Sequence, residues 1–331
     1  MRPRAFKAKW EPHRVGKKIG ILFGMEDTFP WALMEAITTR SGGEIQGVPV
    51  ELSCLRDDAE IPYALIFDRI SHEVEFYRIF LKTAVARGVD VINSPFWWSS
   101  DDKFFDNVVA AAVGVAVPKT VLLPHKDYPP RTEAKSFRNL KPLVWDDVFG
   151  YLGFPIFMKP AYGGGWRDVH KCDDREGFFA AYEQTRDLCM IAQEAIDFSS
   201  YYRCYVLGRA RVRVMRYDPI VPHERRYRTE HLEREPEMEE RVRADALKLC
   251  DALGYDLNTV EFAVRAQVPY AIDFMNPAPD ADLESVGRAN FDWVVENMAD
   301  VLIERVRNPI PFELTGSWTR KMLPSNVAAV R

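Results

Sequence analysis

Residues 259–280, T-V-E-F-A-V-R-A-Q-V-P-Y-A-I-D-F-M-N-P-A-P-D, predict two β-strands joined by a turn near 267–269. Glu261 lies in the first β-rich run, Asp273 lies in the second, and Asn276 follows. A carboxylate inside an apolar strand is costly unless its charge is compensated. Two carboxylates and an amide oxygen on adjacent strands could share one cation, and oxygen ligands of this kind suit Mg²⁺. A hairpin with a polar solvent face explains these residues equally well.

The composition is that of an ordinary globular protein. The chain has 331 residues, of which 47% are hydrophobic and 28% charged, enough for one large or two to three small domains. The net charge of −5 disfavours non-specific nucleic-acid binding. No apolar run is long enough to span a bilayer, so neither a nucleic acid nor a membrane is expected as a partner. The basic segment 1–17 is interpreted as a flexible tail, with a targeting or partner-binding arm as the alternative, and 311–331 as a second tail.

The cysteines and histidines argue against a zinc or iron site. The five cysteines are scattered without metal-binding spacing, which fits a reducing cytoplasm, and the histidines form no H-E-x-x-H cluster. We therefore expect a cytoplasmic protein.

Two lysines lie in contexts that suit phosphate binding. Lys159 ends an apolar strand and precedes Gly163, Gly164 and Gly165, whose backbone N–H groups could point at phosphate oxygens. A flexible hairpin turn is the common alternative. Neither a P-loop nor a dinucleotide-binding motif is present. Lys103 opens a predicted helix, where a solvated lysine is the ordinary interpretation.

Two further patterns suggest ligand contacts. Gln193 to Ile196 close an apolar strand before a polar stretch, which suits either an adenine slot or an ordinary strand end. Strand alternation over 202–217 predicts Arg211 and Arg213 on one face and Arg216 on the other. A basic face could bind anions bidentately, or could be solvated and paired with acidic residues.

The order of these motifs resembles the ATP-grasp superfamily, particularly its glutathione-synthetase-like and ribosomal-protein glutamate-ligase-like branch. The resemblance covers roughly residues 18–305. It is carried by N-S-P…D-D-K-F (93–104), F-P-I-F-M-K-P-A-Y-G-G-G (154–165), Q-E-A-I (193–196), Y-Y-R-C-Y-V-L-G (201–208), L-G-Y-D-L-N-T-V-E-F (253–262) and Y-A-I-D-F-M-N-P-A-P-D (270–280).

The resemblance implies an α/β (α+β) architecture with the ATP-grasp fold. A parallel α/β domain would span 18–95, where strands and helices alternate. A central subdomain with the lysines and the glycine loop would span 96–192. A C-terminal mixed-sheet subdomain would span 193–310, with the nucleotide held between these last two.

The resemblance also assigns roles to individual residues. Lys103 and Lys159 would contact the phosphates of ATP, and Gly163, Gly164 and Gly165 would cover them. Adenine would be held by Gln193, Glu194 and Ile196, and two Mg²⁺ ions by Glu261, Asp273 and Asn276. The acceptor or the transferring phosphoryl group would face Arg203 and Arg216. Candidates to line the acceptor site are residues 68–71, Trp97 and Trp98.

The activity implied is that of an ATP- and Mg²⁺-dependent carboxylate–amine ligase that works through an acyl phosphate. Its partners would be a small or peptide-like carboxylate and an amine, and a homo-oligomer is compatible with the sequence. A phosphotransferase on the same fold and a nucleotide-binding regulatory module without turnover remain alternatives.

Three positions depart from the family pattern. Asn276 comes one residue later than usual after Asp273, so that a bulge at Phe274–Met275 is expected to bring both side chains to one ion. Tyr201 stands where the family often has an acidic residue. Asp273 itself is shorter than the commoner Glu.

Overall fold

A computed structural model describes residues 17–98, 102–222, 225–227, 233–312 and 316–318 of the chain. The described residues divide into two compact units, one within 17–98 and 277–312 and the other within 102–276 and 316–318. The predicted tails at 1–17 and 311–331 lie almost wholly outside the described residues. No described helix combines the length and apolar character needed to cross a lipid bilayer.

The first unit contains a parallel sheet covered by helices. Its strands are β1 (Lys18–Leu22), β2 (Gln46–Pro49), β3 (Leu65–Asp68) and β4 (Asp90–Ile92), in the order β2-β1-β3-β4. The helices between them are α1 (Phe29–Arg40) and α2 (Glu75–Ala86). All three strand pairs are parallel, which confirms the predicted N-terminal α/β unit.

The same unit includes two helices from far along the chain, α7 (Leu283–Val286) and α8 (Arg288–Arg307). Arg40 of α1 pairs with Asp300 at 2.7 Å, and Arg305 pairs with Asp90 of β4 at 2.6 Å. This differs from the predicted C-terminal subdomain of 193–310, because its last part packs with the N-terminal sheet. The amphipathic pattern of α8 predicts a buried face but does not identify the surface that covers it.

The second unit begins with an antiparallel sheet in the order β5-β8-β6-β7. Its elements are α3 (Lys103–Ala112), β5 (Thr120–Leu123), α4 (Trp145–Leu152), β6 (Ile156–Pro160), β7 (His170–Cys172), α5 (Arg175–Gln184) and β8 (Met190–Glu194). Apolar side chains including Phe149, Met158 and Phe178 form its core. Helix α5 is capped by Asp174, whose carboxylate accepts from Gly177 N at 2.8 Å.

The second sheet of this unit has the order β10-β9-β11-β12. Its elements are β9 (Ser200–Leu207), β10 (Arg211–Arg216), α6 (Pro236–Leu253), β11 (Leu257–Arg265) and β12 (Val268–Asp273). The sheet is antiparallel throughout its described strands, so the prediction of a mixed sheet was wrong. Because α6 returns the chain between β10 and β11, these two strands run in the same direction on either side of β9, and both are antiparallel to it.

The hairpin of β11 and β12 is the one predicted from the sequence. Its turn is formed by Ala266 and Gln267, which both have positive φ, at 50° and 61°. Such a pair matches the right-handed twist of the flanking strands. The pairing runs regularly up to Phe262 opposite Ala271, and then Glu261 lies opposite Asp273, so that Ile272 is an extra residue on β12. A β-bulge therefore lies at Ile272.

Candidate active site

The bulge at Ile272 places the two candidate carboxylates on one face of the sheet. Directly paired residues of an antiparallel ladder share a face. If the regular pairing had continued, Asp273 would lie opposite Val260 and face the other side. With the bulge, Asp273 lies opposite Glu261, and Arg203 of β9 lies opposite Glu261 on its other side. The three charged residues form one row across the sheet.

Both candidate lysines reach the end of β12 from outside its sheet, Lys103 from helix α3 and Lys159 from strand β6 of the other sheet. Lys103 begins α3, whose N-cap Asp102 accepts from two backbone N–H groups. Its Nζ donates to Asp273 Oδ1 at 3.1 Å. Lys159, on β6, donates from Nζ to the carbonyl of Ile272 at 3.0 Å. Both lysines are buried and converge on the end of β12.

Burial and neighbouring charges shift the pKa values of this cluster. Burial, aided by the charge of Lys103, lowers the pKa of Lys159 to about 8. Removal from water alone would raise the pKa of Asp273, but the charges of Lys103 and Lys159 outweigh it and the pKa is lowered. Burial raises the pKa of Glu261, and the neighbouring charge of Asp273 adds to the effect, although Arg203 opposes it. A bound cation would relieve this cost.

Asn276 reaches the same face by a different route from the one predicted. The strand ends at Asp273, so strict alternation no longer governs residue 276. The Asn276 amide donates from Nδ2 to Thr259 Oγ1 at 3.3 Å, and its backbone N–H donates to Asn258 Oδ1 at 3.1 Å. Thr259 is two residues before Glu261 on β11 and therefore shares its face. The expectation of a bulge at Phe274–Met275 was wrong, because the irregularity lies at Ile272.

The donor set fits a hard divalent cation. Within the described ranges, no group of three or more His, Cys, Asp or Glu side chains could hold a metal ion. The candidate set here is two carboxylates, Glu261 and Asp273, with the amide oxygen of Asn276. Mg²⁺ is usually bound in proteins by a few such oxygen ligands, together with water and phosphate oxygens.

Tyr201 contacts one of these carboxylates. Its hydroxyl donates to Glu261 Oε2 at 2.8 Å. Burial raises the pKa of the Tyr201 phenol well above its usual value, and the charge of Glu261 adds to the shift. The sequence indicated Tyr201 only as a departure from the family pattern, since nothing local predicts its partner.

The three residues predicted to hold adenine lie in different environments. Gln193 lines a small cleft together with Lys103, Lys159 and Asp273, and its Nε2 donates to Thr120 Oγ1 at 3.0 Å. The Glu194 carboxylate accepts from Arg265 Nη1 at 2.7 Å, so this side chain is engaged in an ion pair. Ile196 is buried and packs with Tyr201, Tyr217 and Ala263 on the site face.

The glycine loop has the backbone conformation that glycine permits. Gly163 and Gly165 have φ of 87° and 71°, in the left-handed region, whereas Gly164 does not. A Cβ built at any of the three would meet nothing within 4 Å. Conformation rather than space therefore accounts for glycine at 163 and 165.

Arg226 also lies against this loop, a contact that no local sequence pattern predicts. Its guanidinium lies 5.8 Å from the ring centre of Trp166, the residue after the glycines. Its Nη1 also donates to the Tyr217 hydroxyl at 3.2 Å. The guanidinium of Arg203 lies over the same Tyr217 ring at 5.5 Å. Tyr217 thus contacts two arginines on the site face.

Arg216 is not brought to this cluster. It lies opposite Tyr202, whereas Arg211 and Arg213 lie opposite Leu207 and Tyr205, as strand alternation predicts. Its Nη1 donates to the Tyr202 hydroxyl at 2.8 Å and lies 3.2 Å from Glu235 Oε2, at the start of α6. Arg203 and Arg216 were both predicted to face the acceptor or the transferring phosphoryl group, but they lie on opposite faces of the sheet.

The first unit has a cleft of its own. It has a volume of about 430 Å³, and two of the predicted acceptor residues, Arg69 and Ile70, line it. Trp97 and Trp98, also predicted to line the acceptor site, are buried side chains of the same unit. Asp282, also in this cleft, accepts from the backbone N–H groups of residues 27–29 at the start of α1.

Proteins similar to this chain were found by comparison of structures and not by comparison of sequences. No protein-family model matches the chain, and no curated protein matches its sequence. The chain is similar to a D-alanine–D-alanine ligase from Bacillus anthracis, with a TM-score of 0.62, 17% identity, and coverage of 88% of this chain and 97% of the other. It is also similar to the VanG D-Ala:D-Ser ligase from Enterococcus faecalis, with a TM-score of 0.62 and 16% identity over 88% of this chain and 100% of the other. A third similar structure is that of an ATP-grasp RimK domain protein from Sphaerobacter thermophilus, with a TM-score of 0.60 and 16% identity over 86% of this chain and 99% of the other. These TM-scores establish a shared fold, and at 16–17% identity the comparison shows the fold alone.

Proposed function

We propose that this chain, which has the ATP-grasp fold, is an ATP- and Mg²⁺-dependent ligase that joins a carboxylate to an amine through an acyl phosphate. The observation that carries the proposal is the convergence of three cations on strands β11 and β12: Lys103 on the Asp273 carboxylate, Lys159 on the adjacent Ile272 carbonyl, and Arg203 on the Glu261 carboxylate. Three cationic side chains beside two carboxylates that could coordinate a metal ion form a site suited to the phosphates of a nucleotide with its metal ions.

The lysines would bind the phosphates. Lys103 and Lys159 are buried, and they contact Asp273 Oδ1 and the Ile272 carbonyl. A phosphate oxygen offers each ammonium group a stronger partner than a carbonyl. The glycine loop at 163–165 would cover the phosphates with backbone N–H groups.

The metal ligands would be Glu261, Asp273 and Asn276, with two Mg²⁺ ions as the expected number. When bound, Mg²⁺ offsets negative charge on the phosphate oxygens and orients them. Arg203, in the same row as the carboxylates, would stabilise charge on the transferring phosphoryl group.

The chemistry follows from the poor reactivity of carboxylates. A substrate carboxylate oxygen would attack the γ-phosphorus of ATP, which breaks the bond to ADP and gives an acyl phosphate. The amine would then attack the acyl carbon, and inorganic phosphate would leave. Water competes with the amine for this intermediate, so a loop that closes over the site would protect it. The neighbouring solved ligases support a small or peptide-like substrate.

The test is a trapping assay with a panel of carboxylates, ATP and Mg²⁺. Hydroxylamine replaces the amine, and mass spectrometry detects the hydroxamate. A hydroxamate that requires both ATP and carboxylate supports the ligase. A stable phosphoester on a hydroxyl substrate would establish the phosphotransferase instead. Binding of an ATP analogue with no turnover on any substrate would favour the regulatory module. Lys159→Ala is the control, because it should abolish trapping while the fold persists.

A further inference from the structure

Two adjacent tyrosines on β9 face opposite sides of the sheet. Tyr201 lies on the site face, where its hydroxyl donates to Glu261 Oε2 at 2.8 Å. Tyr202 lies on the other face, where its hydroxyl donates to Glu235 Oε2 at 2.6 Å. Each phenol thus binds a glutamate, but only the first glutamate is a candidate metal ligand.

The position of the Tyr201 hydroxyl is set by packing of its ring. The residue is 8% exposed. Its ring packs edge-on against Phe198, with ring centres 5.2 Å apart, and at a tilt of 38° against Tyr217, with ring centres 5.9 Å apart. Ile196 and Ala263 belong to the same buried cluster. A ring held on several sides fixes its hydroxyl, and the hydroxyl in turn fixes Glu261 Oε2.

The two oxygens of Glu261 therefore differ. Oε2 is engaged by Tyr201, whereas Oε1 lies 3.6 Å from Arg203 Nη1, beyond hydrogen-bond distance. Within the described ranges Oε1 accepts no hydrogen bond, which leaves it as the oxygen better placed to coordinate a cation.

Resting on the proposed function, we propose that Tyr201 is a positioning residue that limits Glu261 to one-oxygen coordination and so favours Mg²⁺ over Ca²⁺. Mg²⁺ requires near-octahedral geometry and is bound through single carboxylate oxygens and waters. Ca²⁺ takes more ligands and accepts both oxygens of one carboxylate. A phenol that holds one oxygen away from the cation therefore selects the smaller ion.

The test compares Tyr201→Phe with Tyr202→Phe in the full chain. Titration calorimetry measures the affinities for Mg²⁺ and for Ca²⁺ in the presence of the β,γ-imido analogue of ATP. We expect Tyr201→Phe to shift the Mg²⁺/Ca²⁺ affinity ratio about tenfold towards Ca²⁺, the scale at which hydrogen-bond partners of metal ligands act. Tyr202→Phe should leave the ratio at its wild-type value.

The outcomes separate the inference from the function on which it rests. Equal changes for both ions, or no change, in Tyr201→Phe would overturn the role of Tyr201 alone. Absence of metal-dependent analogue binding in the wild-type chain would overturn the proposed function and the inference with it. Phenylalanine keeps the ring contacts, so the unfolding temperature without ligand should stay close to that of Tyr202→Phe, and circular dichroism checks the fold of both variants.

Discussion

At the scale of single residues, the site is a balance of buried charges. Lys159 donates to a backbone carbonyl, Lys103 to Asp273, and Glu261 accepts from Tyr201. None of these groups would be stable alone at its depth, because an unpaired buried charge is costly. Their residue types were evident in the sequence, but their partners lie from 60 to 170 positions away. No local pattern predicts such pairs.

The lowered pKa of Lys159 predicts how the affinity for nucleotide depends on pH. Its pKa of about 8 means that the free protein loses this positive charge above that pH. Because phosphate binds the protonated form, affinity for an ATP analogue should be constant below pH 8 and fall by up to about tenfold per pH unit above it. Lys159→Arg stays charged in this range and should give a flat profile. Calorimetry from pH 6.5 to about 9.5 checks both variants, and parallel profiles would contradict the assignment.

The same pKa has a defined effect on stability. Since the pKa of Lys159 in the folded protein lies below the ordinary lysine value of 10.5, the unfolded chain binds more protons between about pH 8 and 10.5. The contribution of Lys159 to the free energy of unfolding therefore rises with pH through that window.

At the scale of elements, the decisive feature is the second sheet of the larger unit. Strand alternation in the sequence correctly separates Arg211 and Arg213 from Arg216. Alternation fails on β12, since an extra residue at Ile272 turns Asp273 to the side of Glu261. A bulge depends on how two strands pair, and the pairing is set by the whole sheet rather than by residues 270–276.

The two faces predict different roles for Arg203 and Arg216. Arg203→Met should slow hydroxamate formation by about 10²-fold or more, as expected when a charge-stabilising donor is lost from an active site. Arg216→Met should leave the rate within a few-fold of wild type. It should instead lower the free energy of unfolding by roughly 1 kcal/mol, because its half-exposed partner Glu235 loses an ion pair. Equal rate losses in both variants would contradict this separation.

Two positions of the glycine loop offer a matched pair of substitutions. Gly165→Ala forces a side chain into a positive φ, at a cost of roughly 1–2 kcal/mol, whereas Gly164→Ala does not. Neither Cβ meets an atom of the protein within 4 Å. We expect Gly165→Ala to weaken binding of an ATP analogue by about 5- to 30-fold, and Gly164→Ala to weaken it less. Similar losses, measured by calorimetry, would show that the conformation at 165 is not required.

At the scale of the whole chain, a distant segment completes the N-terminal unit. Helix α8 packs in the N-terminal unit with α1, and the segment before it supplies Asp282 to the start of α1. Thr28, the residue at the N-terminus of α1, makes no side-chain cap of its own. A carboxylate more than 250 positions away takes that place.

Asp282→Ala should therefore destabilise the N-terminal unit. The loss of a cap costs roughly 1–2 kcal/mol, and it should appear as faster hydrogen exchange of the α1 amides. Burial opposes ionisation of Asp282, but its backbone hydrogen bonds outweigh burial and lower its pKa. The stabilisation is thus present above the unfolded value of about 4 and is lost as pH falls through the folded pKa. Glu284→Ala, in the same cleft, should change stability by less than about 0.5 kcal/mol. Equal effects of the two variants would contradict the capping role.

The sequence by itself determined the kinds of group in the candidate site: two lysines, two carboxylates, an amide, a glycine triplet and an arginine, carried by strands and helices of the expected type. These follow from patterns of a few residues, because local conformation depends on near neighbours. Only the tertiary structure decided which groups meet. The bulge at Ile272, the bond from Tyr201 to Glu261 and the place of α8 in the N-terminal unit all depend on pairing and packing between segments far apart in the chain. Their energies come from burial and register, which exist only once the sheets have formed.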